Sequence, residues 1–124
     1  PVKTVNDLIH PADGSKVLLT ERCCGESGTF AVGRPDIATQ VRFKKEEDIL
    51  KNKARVSDGG FYGRVKILTA CPGCLQGLSR YNETSGTKAE FLVVEMAHMR
   101  LGDHWLSTFV EQAVDEGGIE KVLV

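Results

Sequence analysis

Apolar and polar positions alternate between short buried runs and longer helical stretches along the chain. Val17-Leu18-Leu19-Thr20 is an apolar run that predicts a buried strand ending at Cys23-Cys24-Gly25. Small residues and glycines from Gly25 to Gly33 predict a loop, after which Pro35 and Asp36 carry helix-start chemistry: a proline in the first turn and an acid near the positive helix end. A helix is expected from Ile37 to about Ala54, its apolar face faint and its charges (Lys44, Lys45, Glu46, Glu47, Asp48, Lys51, Lys53) read as a solvated face. Ser57 to Gly63 predicts a loop, and Arg64 to Ala70 a second strand running straight into Cys71. Pro72 suits the first helical position, and Leu75, Leu78 and Tyr81 continue an apolar stripe until a turn-rich Asn82 to Lys88. Phe91-Leu92-Val93-Val94 predicts a third strand and Met96 to Leu101 a short helix. A further helix, capped by Asp103, is expected to run to about Asp115, with Trp105-Leu106 and Phe109-Val110 facing a core. Ile119 to Val124 predicts a last strand or a docked tail. The sum is an α/β fold: one domain with a small, mostly parallel sheet flanked by helices.

Composition narrows the class. At 124 residues one domain is the default, and it is large enough to bury a core without covalent staples. Hydrophobic residues are 41% and charged ones 27%, with a net charge of -1, so no basic excess points to nucleic acid or an anionic membrane. No apolar run reaches the roughly 20 residues of a membrane span, and Pro1 to His10 lacks the order of a signal peptide, which predicts a cytoplasmic protein. The start at Pro1 is read as a trimmed initiator or a piece of a longer protein.

The four cysteines change the picture most. All lie in two tight pairs, Cys23-Cys24 and Cys71-Pro72-Gly73-Cys74, each flanked by residues that let backbone come close to a bound centre. Zinc and iron-sulfur clusters both take four thiolates from separate chain segments, so Cys23, Cys24, Cys71 and Cys74 form a candidate four-thiolate site. The spacing of three in the second pair puts both sulfurs on one helical turn, and a strand-to-helix junction would set Cys71 at a helix N-terminus, where thiolate is favoured over thiol. Cys23 and Cys24 are adjacent and can share a centre only if the backbone bends, which Gly25 and Gly28 permit. Rival readings are a CxxC dithiol-disulfide pair at Cys71 and Cys74, a redox-silent Cys₄ zinc docking module, and, for Cys23 and Cys24, one inert buried thiol beside an incidental neighbour. His98 is read as a packed histidine or a donor to a sulfur, and His10 as inert. No side chain is assigned as a catalytic acid, base or nucleophile.

Glu21-Arg22-Cys23-Cys24-Gly25-Glu26-Ser27-Gly28-Thr29-Phe30, with Pro35-Asp36-Ile37 behind it and Ala70-Cys71-Pro72-Gly73-Cys74 later, resembles the cysteine-rich CCG domain. That domain occurs in heterodisulfide reductases, in the iron-sulfur proteins of glycolate and lactate oxidation systems, and at the C-terminus of large FAD-linked oxidoreductases. The resemblance covers about Val17 to Phe91, and the ending Gly118 to Val124 resembles the C-terminal end of the FAD-linked type. It implies that residues 1–124 are one CCG-type domain of a longer oxidoreductase, not catalytic alone. Cys23, Cys24, Cys71 and Cys74 would be thiolate ligands of an iron-sulfur cluster, with zinc as the alternative, and FAD would sit elsewhere in the full protein. The implied function is electron transfer with a flavin-containing dehydrogenase domain or subunit as partner. The upstream cysteine that opens the family motif is absent from residues 1–22.

Overall fold

Val65–Thr69 (β1) and Thr87–Phe91 (β2) pair in parallel, with Val65 opposite Thr87 and Thr69 opposite Phe91. Parallel neighbours need a crossover, and here it is helical: Pro72–Ser79, then the short Asn82–Ser85. In a computed structural model describing residues 2–9, 17–26, 29–57 and 64–115, the remaining elements are all helices. In chain order the helices are α1 (Val2–Ile9), α2 (Phe30–Gly33), α3 (Pro35–Ser57), α4 (Pro72–Ser79), α5 (Asn82–Ser85), α6 (Leu92–Leu101) and α7 (Trp105–Asp115). The α/β class holds, with a two-stranded parallel sheet in a mostly helical chain. No helix among the described residues is long and apolar enough to cross a membrane.

α3 begins as its sequence indicates, with Pro35 first and Asp36 in the first turn, and runs on to Ser57, three residues beyond the expected end. Its buried positions, Ala38, Lys45, Ile49 and Asn52, fall on one stripe at helical spacing. Two of the four are polar, which explains the faint apolar periodicity.

The core is small. Cys24, Ile49, Ile67, Leu78, Tyr81 and Ala89 form it, with Cys74 and Leu75 packed against it. Ile67 and Ala89 are register partners across the sheet, so α4 covers them through Leu78 while α3 contributes Ile49. Tyr81 adds a tie, its hydroxyl donating to the Arg42 carbonyl at 3.1 Å. The turn from α5 into β2 passes through Gly86 at φ +62, a left-handed conformation that favours glycine. Beside it, buried Ser85 bonds the Tyr81 carbonyl and the Thr87 hydroxyl, and Lys53 donates to the Ser85 carbonyl.

Several expectations are corrected. Val17 to Thr20 form no strand, because an extended run becomes one only when another chain segment pairs with it. The strand expected at Phe91 to Val94 lies earlier. Only Phe91 belongs to β2, and Leu92, Val93 and Val94 open α6. The Asn82–Lys88 turn instead contains α5 and the start of β2. Residues Phe30–Gly33 within the expected glycine loop make one helical turn. On α7, Leu106, Phe109 and Val110 are exposed and do not face the core. The loop at 58–63 and the tail at 116–124 lie outside the described residues.

Candidate thiol site

The second cysteine pair is built by regular structure. β1 ends at Thr69, and Cys71, still extended at φ -110 and ψ 125, is the residue that caps α4, with Pro72 in the first turn. The Cys71 carbonyl accepts the first helical bond from Leu75 at 2.9 Å, and its amide donates to the Thr69 hydroxyl at 3.2 Å. Cys71 therefore stands at the helix start, where the first amides have no partner within the helix. Chiefly the Cys74 amide, then the Cys74 thiol, hold the exposed Cys71 thiol below its usual range. One turn on, half-buried Cys74 moves the opposite way. A hydrogen bond with the Cys24 thiol first, then burial, push it up to about 12.

The first pair is built by side chains. Cys23 and Cys24 lie in an irregular segment and diverge: Cys23 is exposed and its sulfur accepts from the Gly25 amide at 3.4 Å, while Cys24 is buried in the core. Gly25 follows at φ +75, a left-handed conformation that favours glycine, beside Val41 and Arg42 of α3. The Cys24 and Cys74 sulfurs stand 2.8 Å apart, bringing together segments separated by 50 positions.

Two anchors hold this irregular segment. Before the pair, Lys45 of α3 donates to the Arg22 carbonyl at 2.8 Å. After it, Glu26 accepts from Arg42 at 3.1 Å and pairs with Arg80 at 2.8 Å. The Glu26 side chain lies directly against Gly77 of α4, where a Cβ would collide with it. None of these anchors was read from the sequence. Lys45, expected on a solvated face, is only 3% exposed. The signal that would have found it is its place at helical spacing from Ala38, Ile49 and Asn52; Glu26, Arg42 and Arg80 had none.

Of the four predicted ligands, Cys24 and Cys74 are in sulfur contact, Cys71 is exposed one helical turn before Cys74, and Cys23 is exposed with its sulfur on the Gly25 amide. A disulfide has a bond of about 2.05 Å. Thiolates around one tetrahedral zinc, with bonds of about 2.3 Å, stand about 3.8 Å from each other. The Cys24–Cys74 separation lies between these values. Among the described residues no group of three Cys, His, Asp or Glu side chains is arranged to hold a metal ion. Sharing a centre therefore requires Cys24 and Cys74 to part by about 1 Å and the Cys23 sulfur to turn inward. The donor chemistry fits soft-metal binding, four thiols with no competing carboxylate among them. His98 belongs elsewhere. It sits edge-on to Trp105 with ring centres 6.0 Å apart, and its Nδ1 is 3.6 Å from Asp103. His10 lies outside the described residues.

Comparison with known proteins corrects the family resemblance. A family model described as a domain of unknown function, DUF3400, matches residues 79–124, beyond all four cysteines, and no CCG-domain model matches. The likeness rested on short cysteine-glycine and cysteine-proline motifs, which thiolate chemistry and helix starts impose locally whatever the rest of the fold. No curated protein and no solved structure matches the chain. The family match covers less than half of the chain, so what ties the chain to known proteins is the segment from the end of α4 through α7.

Proposed function

We propose that this chain is a redox module whose cysteines hold an iron-sulfur cluster and pass electrons. The observation that carries the reading is the contact of the Cys24 and Cys74 sulfurs from two distant segments, each with a second cysteine close by along the chain, Cys23 and Cys71. A bound cluster would supply one-electron chemistry at a potential set by net charge, burial and hydrogen bonds to sulfur. This chain's part is to deliver thiolates: the free amides of α4 favour charge on Cys71, and the core shields Cys24. No side chain need make or break a bond. The natural electron partner is a flavin-bearing dehydrogenase domain or subunit, because a flavin can feed a one-electron carrier from two-electron chemistry. Four free thiols suit a reducing compartment, the cytoplasm.

A second reading has its own observation. Cys71 is exposed with its thiol acidified, while Cys74 behind it is half-buried with its thiol pushed up to about 12, the asymmetry of an attacking and a resolving thiol. Anaerobic reconstitution with iron and sulfide separates the two. Bound iron and sulfide with a broad visible band, lost in Cys23→Ser and Cys71→Ser, supports the cluster. Stoichiometric zinc without colour would identify a redox-silent structural site. A metal-free protein that reduces a disulfide through Cys71, with Cys23→Ser as active as the parent, would establish the dithiol reading instead.

A further inference from the structure

A buried lysine needs a reason. Burial pushes the Lys45 ammonium down from its usual range, and the groups that oppose this are Asp48 first, then Cys24 and Cys23. Its nearest oxygen is the Arg22 carbonyl at 2.8 Å, immediately before the vicinal cysteines. Asp48 stands at 3.7 Å, and its Oδ2 has no hydrogen-bond partner, so the carboxylate does not hold the ammonium closely. An ammonium carries three donors, and the closest contact uses one on a neutral acceptor. The charge is then only partly offset, in a poorly solvated place where Coulomb interactions act at strength.

We propose that Lys45 is a positioning residue of the thiol site. Through the Arg22 carbonyl it fixes the approach to Cys23-Cys24, and that bond holds its positive charge at the residue next to the pair, making the site attractive to anionic thiol-reactive groups and to electrons. The effect on electrons rests on the redox reading above; the effect on anionic reagents does not. A four-thiolate centre gains negative charge on reduction, so a fixed cation beside it favours the reduced form.

The full chain tests this through Cys23, the exposed member of the pair. Its second-order rates with an anionic aromatic disulfide, dithionitrobenzoate, and a neutral one, dithiodipyridine, are measured by site-resolved mass spectrometry. Their ratio cancels thiolate fraction and accessibility and reports the local field. In Lys45→Gln the anionic-to-neutral ratio falls severalfold, in Lys45→Arg it is retained, and in Asp48→Asn it rises. A purely structural role changes both rates alike and leaves the ratio fixed, which overturns the proposal. Should Lys45→Gln not fold, an unchanged ratio in Asp48→Asn overturns it equally. In reconstituted protein, Lys45→Gln shifts the oxidised-to-reduced ratio at fixed poise about tenfold toward oxidised, or about 59 mV for one electron. Wild-type protein that takes up no cluster sinks the redox reading, while the disulfide ratio still decides Lys45.

Discussion

The two cysteine pairs are held in unlike ways. Cys71 and Cys74 sit where a strand hands over to a helix, and backbone bonds alone fix their relative position. Cys23 and Cys24 have no secondary structure; α3 and α4 grip their segment through Lys45, Arg42, Glu26 and Arg80. One half of the site is part of the fold, and the other is tied onto it. The first should survive changes that release the second.

The largest effect should come from breaking what both halves share. Leu78→Ala removes a core side chain that is 4% exposed and packs with both cysteine-bearing segments. It should cost about 2–5 kcal/mol in denaturant unfolding and expose Cys24 and Cys74 together to alkylation. Next is the contrast within the backbone-built pair, measured by the pH dependence of alkylation in metal-free protein. Cys71 should react at least about a hundredfold faster than Cys74 near pH 9, because each unit of pKa is tenfold in thiolate. The linkage to stability has opposite signs. Cys74, raised from 9.0, contributes stability that is complete below pH 9 and is lost as pH rises toward about 12. Cys71, lowered from 9.0, contributes stability that is complete above that value and lost as pH falls through its folded value.

Gly77→Ala separates the halves directly. The added methyl collides with Glu26 and should cost about 1–3 kcal/mol in strain, less the roughly 1 kcal/mol that alanine contributes in a helix. Alkylation of Cys24 should quicken while amide exchange in β1 and α4 stays unchanged; faster exchange in α4 would show that the halves are not independent. The smallest effect is expected at Asp36→Asn. The Arg34–Asp36 pair lies in the open at 60% and 61% exposure, so thermal unfolding should not move measurably.

The same division decides what could be read from the sequence. The Cys71 junction was legible because an apolar strand run, Pro72 and the spacing of three are all local signals. Arg64 to Ala70 and Pro72 onward became β1 and α4 nearly as read. The segment before Cys23 was misread because Val17 to Thr20 has a strand's composition, while strand formation depends on a partner far along the chain. For β2 the signal was present but fainter than its neighbour's. Thr87 and Ala89 are buried with Lys88 exposed between them, a period of two in modest residues, next to the more apolar Leu92-Val93-Val94 that joins a helix. On α7 the sequence correctly marked a helix but wrongly set Leu106, Phe109 and Val110 against a core, because apolar spacing shows a face without showing that another segment packs on it. The cysteine constellation itself was visible as a set of thiols. Its anchors were not, since the pairing of Glu26 with Arg42 and Arg80 exists only once three segments have met.

The contact between Cys24 and Cys74 also has a thermodynamic meaning for the unfolded chain. Any link across those sulfurs, covalent or through a metal, closes a loop of 50 positions. On the chain-entropy account such a closure removes about 4 kcal/mol of freedom from the denatured ensemble. That is comparable with the whole stability of a small domain. Occupancy of this site and persistence of the fold would then be coupled, and a melting curve would serve as a gauge of the state of the thiols.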